Sequence, residues 1–96
     1  METYTDMELV ISALKFSWEL ADCKYPNAFN LMNDLIELKD SSLEDVLNNA
    51  EKLVKQIIVN CLTVQKYYST DPEKRRLSDI LHKKLEEQLA ILEYES

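Results

Sequence analysis

The chain has no glycine at all. Phosphate-cradling loops, the dinucleotide fingerprint, the EF-hand calcium loop and the glycine-flanked nucleophile elbow all need one, so none of them is present. Histidine is almost as scarce: His82 stands alone. A catalytic triad, a His-based zinc centre or a di-iron bundle site requires His82 in company, and Asp79-x-x-His82 is a single copy of a pattern that needs two. The only cysteines, Cys23 and Cys61, are too sparse for a disulfide framework and wrongly spaced for a zinc or CxxC site. They read as reduced, small, buried apolar groups. Basic residues are few, with 11 Lys and Arg against 18 Asp and Glu for a net charge of −7. A general nucleic-acid binder or a protein held on an anionic membrane needs the opposite balance. Long apolar runs are missing too; stretches such as Ile57-Ile58-Val59 fall far short of a membrane span. The beginning of the chain is acidic and lacks the basic region of a secretory signal, so a cytoplasmic location is expected.

What is present describes a folded protein. Hydrophobic residues make up 46% and charged ones 30% of 96 residues, which fits one domain spanning 1–96. Thr5 followed by Glu8 has the form of a capping box, and the pattern predicts a helix over about 6–25, stopped by Pro26. A second runs over about 27–39, with Asp40-Ser41-Ser42 as the next stop and Ser41–Glu44 as a further capping box. From 42 to 69 nothing breaks the pattern. Asp71, Pro72 and Glu73 then supply an N-cap, a first-position proline and a first-turn acid for a last helix over about 72–94. The expected class is therefore all-α, a four-helix bundle-like fold in which the long third and fourth helices form an antiparallel hairpin.

Leu43, Leu47, Ala50, Val54, Ile57, Cys61, Val64 and Tyr68 recur at alternating spacings of four and three, a straight seam for knobs-into-holes packing. Leu77, Leu81, Leu85, Leu89 and Leu92 give the last helix its own stripe. The first helix has two. Met7, Ile11, Leu14, Trp18, Ala21 and Tyr25 fall on one side, and Leu9, Ala13, Phe16, Leu20 and Cys23 fall nearly opposite. Such a helix is either central in the monomer or meets another chain with its second face. Val59, Leu62, Ile80 and Ile91 lie on the backs of the other stripes. Burying one large apolar side chain contributes roughly 1.5–3 kcal/mol against a total stability of about 5–15 kcal/mol. Leaving several wet is costly, so part of this surface is expected to lie between subunits, a dimer being the expected state.

Catalysis finds little support. Glu44-Asp45 and Glu86-Glu87 are adjacent acids at helix starts or on polar faces, where capping and solubility explain them. His82 is expected on the solvated side of its helix, with Glu86 one turn on. Lys74-Arg75-Arg76 and Lys83-Lys84 form a basic cluster whose Arg75–Asp79, Asp79–Lys83 and Lys83–Glu87 spacings suit ordinary i,i+4 pairs. Arg75 and Arg76 also suit an acidic partner surface. Charge is unevenly divided: residues 1–51 hold 11 acids and 3 bases, net −8, and residues 52–96 hold 7 acids and 8 bases, net +1.

These features read as a small acidic non-enzymatic protein-binding module, a regulator or inhibitor that docks onto a larger macromolecule. No catalytic residue, cofactor or metal is expected. The alternatives are a homodimeric adaptor or chaperone-like subunit and, last, a phosphotransfer or other helical enzyme using His82. The residues expected at a partner or subunit interface are Leu9, Ala13, Phe16, Leu20, Val59, Leu62, Tyr67, Arg75 and Arg76, with Trp18 and Tyr68 assigned to the core first.

Overall fold

A computed structural model describes residues 4–95, and side chains through residue 89. The expected all-α class is observed, but with five helices among the described residues where four were expected: α1 (Asp6–Leu20), α2 (Pro26–Glu37), α3 (Leu43–Asn48), α4 (Lys52–Tyr68) and α5 (Pro72–Glu95). None of them is long and apolar enough to cross a membrane.

The helix starts follow local chemistry. Thr5 Oγ1 accepts from the Glu8 amide at 3.1 Å and begins α1, as the sequence predicts. Pro26 occupies the first turn of α2, where its missing N–H costs nothing. At α3 the cap is Ser42, not Ser41: its Oγ accepts from the Asp45 amide at 3.1 Å. Asp71 caps α5 by accepting from the Glu73 amide at 2.9 Å.

Two ends depart from expectation. α1 stops at Leu20, five residues before Tyr25, because Asp22 and Cys23 turn left-handed (φ 53° and 61°). The Cys23 amide donates to the Trp18 carbonyl at 2.9 Å and the Asp22 amide to Glu19 at 3.1 Å, closing a Schellman turn built without glycine. The long third helix is broken into α3 and α4. Asn49 ends α3, its side chain donating to the Asp45 carbonyl at 3.0 Å, and Glu51 is extended (ψ 157°) before α4 begins. Asparagine offers the backbone an alternative partner, which is why it ends helices readily.

That break resets the helical phase. The buried face of α4 is Ile58, Cys61, Leu62 and Gln65, with Val59 beside it, while the expected seam residues Val54, Ile57 and Val64 are only half-buried. Tyr68, expected in the core, is 66% exposed. On α5, Ser78, Leu81, His82 and Leu85 make the buried stripe with Leu77. Leu89 is half-buried, and the side chains of Ile91 and Leu92 lie outside the described residues.

α1 sits at the centre. It packs on α2, α4 and α5, and α4 packs on α5 across the short joint Ser69–Asp71. Both stripes of α1 are therefore used within one chain: Met7, Val10 and Leu14 on one side, Leu9 and Ala13 on the other, all 4% exposed or less. Trp18 packs on Phe29 of α2, the rings tilted by 45° with their centres 4.9 Å apart. The radius of gyration, 12.7 Å, matches the roughly 12.5 Å of a compact globule of this length.

The left-handed pair ending α1 generates a stability prediction. A non-glycine residue there costs about 1–2 kcal/mol, partly offset in a glycine variant by its looser unfolded chain. Cys23→Gly is therefore expected to stabilise by about 0.5–1 kcal/mol, and Cys23→Val to destabilise, as read from urea unfolding midpoints.

Candidate docking surface

The interior holds polar groups in a defined arrangement. Gln65, 1% exposed, links three helices. Its Nε2 donates to Ser78 Oγ of α5 at 2.9 Å and to the Leu9 carbonyl of α1 at 3.3 Å. Its Oε1 accepts from Ser12 Oγ at 2.9 Å. A buried amide with donor and acceptor both satisfied fixes the register of α4 against its neighbours. Cys61 is equally buried, whereas Cys23, expected to be buried like it, is exposed. Burial pushes the Cys61 thiol above the usual range, with the nearby hydroxyls of Ser17 and Tyr25 pulling the other way. The Ser17 hydroxyl approaches the sulfur without forming a well-shaped hydrogen bond. A thiol held protonated and out of water is a poor nucleophile.

His82 is not on the solvated side as expected; it is 9% exposed. The stripe Ser78–Leu81–His82–Leu85 turns it inward, leaving Nε2 3.4 Å from Glu86 Oε1. Its Nδ1 is buried with no hydrogen-bond partner among the described residues. Among those residues there is also no group of three or more His, Cys, Asp or Glu placed to hold a metal ion.

Two surface clusters tie elements together. The Tyr4 phenol donates to Asp71 Oδ2 at 3.0 Å, and Lys74 Nζ lies 5.3 Å from the Tyr4 ring centre. This pins the segment before α1 onto the start of α5. The Tyr4 bond, together with the backbone amides that Asp71 caps, holds the Asp71 carboxyl below its ordinary range. On the other side of α5, Asp79 receives Lys66 of α4 at 2.9 Å and Lys83 at 3.2 Å. These two contacts, Lys66 first, depress the Asp79 carboxyl likewise. The expected Asp79–Lys83 pair is thus joined by a lysine from a different helix, and Lys66 also lies 5.1 Å from the Tyr67 ring centre.

The residues expected at an interface divide sharply. Leu9, Ala13, Val59 and Leu62 are core residues of a single chain, at 8% exposure or below. Within the chain they are covered by neighbouring helices, α1 packing on α2, α4 and α5. Phe16 is half-buried. Leu20 and Tyr67 are exposed, at 55% and 65%, as are Arg75 and Arg76, the latter paired with Glu73 one turn before it.

Arg76 and Leu9 meet again in a groove that runs along α5. One cavity, of about 270 Å³, lies between the start of α1 and α5, lined by Tyr4, Asp6, Leu9, Arg76, Leu77, Ile80, Leu81 and Lys84. A second, of about 360 Å³, adjoins it at Asp6, Leu81 and Lys84 and continues toward Leu43 and Leu47 of α3 and Leu85 of α5. Leu9, Leu77 and Leu81 lie at its base, polar and apolar groups share the lining, and Ile80 stands on its wall 54% exposed. Lys39, Arg76 and Lys84 supply positive charge around it, Asp6 and Glu44 negative. The sequence marks Ile80 as an apolar residue on the wrong face; the space beside it lies between the start of α1 and α5.

No protein-family model, no curated protein and no solved structure matches this chain.

The depressed carboxyls give a pH prediction. A folded-state pKa below the unfolded value contributes stability that is present above about pH 4 and lost as pH falls through the folded value. Tyr4→Phe returns Asp71 toward its ordinary range. The unfolding midpoint of this variant is expected to fall less between about pH 6 and about pH 2.5 than that of the parent chain, measured by urea titration at each pH.

Proposed function

We propose that this chain, an interrupted four-helix bundle, is a small acidic non-enzymatic binding module. It acts in the cytoplasm by docking onto a larger protein as a regulator or inhibitor. The observation that carries this reading is how apolar surface is distributed. The core closes within one chain, yet Leu20, Leu53, Tyr67, Tyr68 and Ile80 each remain more than half exposed. Single exposed apolar residues are ordinary. An exposed isoleucine on the wall of a groove, and adjacent exposed tyrosines at the end of a helix, have the composition of binding hot spots.

The buried positions of the polar groups support a binding role over a chemical one. Gln65 is saturated by structural hydrogen bonds. Cys61 is held as a neutral thiol, and His82 lies largely out of water. General acid–base or nucleophilic work requires such groups to reach a substrate. The homodimeric alternative drew on the second face of α1, and with Leu9 and Ala13 in the core it keeps the exposed Leu20 and Cys23 and the half-buried Phe16 from that face.

Affinity capture from the native host tests the proposal, using the tagged chain beside Ile80→Glu and the double variant Tyr67→Glu/Tyr68→Glu. A protein retained in stoichiometric amount by the parent chain, and lost from one variant whose helicity is intact, is the expected result. No protein retained beyond the level seen with the variants would contradict it.

A further inference from the structure

Independently of any partner, we infer that α3 is a hinged lid, poised to close on the cavity that separates it from α5 and the start of α1. α3 is six residues long, well below the length at which a helix holds itself together, so it persists only through what it packs on. That packing is thin. α1, α2, α4 and α5 are joined by helix–helix contact, and among the described residues α3 has no comparable contact with any of them. Leu43 and Leu47, both 5% exposed, and the half-buried Val46 are its apolar anchors, while Glu44, Asp45 and Asn48 are exposed. The segments on either side suit hinges. Residues 38–42 are exposed throughout. The helix is entered at an extended Ser42 (ψ 145°) and left through Asn49 and an extended Glu51 (ψ 157°). Backbone rotation at such positions disturbs little packing.

The lining of this cavity, about 360 Å³ in volume, comes from two bodies. The lid and its first hinge contribute Lys39 and Glu44 beside Leu43 and Leu47; α1 and α5 contribute Asp6 and Lys84 beside Leu81 and Leu85. Each wall therefore carries one acid, one base and two leucines. Among the described residues no ion pair joins the walls. A lining of mixed sign favours neither an anionic nor a cationic occupant, but it is complementary to itself. Closure carries Glu44 toward Lys84 and Lys39 toward Asp6. Solvent-exposed pairs of this kind each gain little, so neither position of the lid is strongly preferred and small forces move it between them.

Disulfide trapping tests this in the full chain, with the exposed Cys23 replaced by serine. Glu44→Cys/Lys84→Cys spans the cavity. Asp45→Cys/Lys84→Cys is the control, since Asp45 is exposed and lies off the cavity lining. Under diamide the spanning pair is expected to form an intrachain disulfide about tenfold or more faster than the control, because the bond needs Cα atoms within about 7 Å. A second measurement needs no substitution. The amides of Val46, Asn49 and Ala50 donate within α3 and its last turn, and a helix this short melts once its anchors lift. In the parent chain they are expected to exchange about tenfold or more faster than those of Leu9–Leu14, with little dependence on urea. Trapping the spanning pair is expected to slow them about tenfold and leave α1 unchanged. All altered positions are exposed, and circular dichroism checks that helicity is kept. Equal trapping of the two pairs, or none in either, would overturn the lid. So would α3 amides that open together with α1, at the same rate and with the same urea dependence.

Discussion

The fold depends on one constraint: α1 is apolar on two opposite sides, and both must be kept from water. A helix of that kind is stable only when flanked, so α2 must lie on one side of it and α4 and α5 on another. The chain meets this demand by ending α1 early. A turn through two left-handed residues, Asp22 and Cys23, sends the backbone back so that Trp18 and Phe29 meet. Without glycine in the chain the turn carries local strain, which is offset by the burial it makes possible.

Gln65 sets how α4 lies against this central helix. Its amide touches Ser12 and Leu9 of α1 and Ser78 of α5. A slide of any one helix would leave a buried amide unpaired, at a cost of about 1–3 kcal/mol for each lost partner. Apolar packing tolerates small shifts far better than this amide does. Outside the core, the Tyr4–Asp71 bond and the Lys66–Asp79–Lys83 cluster clamp α5 at two points. The groove along α5 is the space left between α5, the start of α1 and α3.

Much of this was legible in the residues. The all-α class and the beginnings of α1, α2 and α5 follow from Thr5, Pro26 and Asp71-Pro72, which act through neighbours a few positions away. The two-sidedness of α1 was also visible, but whether its second face met the chain itself or another chain depends on tertiary packing, which no periodicity encodes. The uninterrupted apolar period from Leu43 to Tyr68 concealed the break at Asn49. A cap formed by an asparagine side chain is a weak local signal, and the heptad spacing ran straight across it. Once the phase was reset, residues placed on the outside, Val59 and Leu62, became core, and Tyr68 became surface. Gln65 and Ser78 were missed because a polar residue at a core position is recognisable only through its partners, which lie on other helices. His82 was placed outside for the same reason. Of the candidate surface, Ile80 and Arg76 could be singled out from sequence, while the concavity joining them could not.

The account stands on α1 being covered within a single molecule, and hydrogen exchange measures that most directly. Backbone amides of Leu9 through Leu14 are expected to be protected to the same extent at high and at very low protein concentration, opening only with the whole fold. Protection of these amides that falls on dilution would show that a second chain supplies the cover, and would contradict the single-chain core.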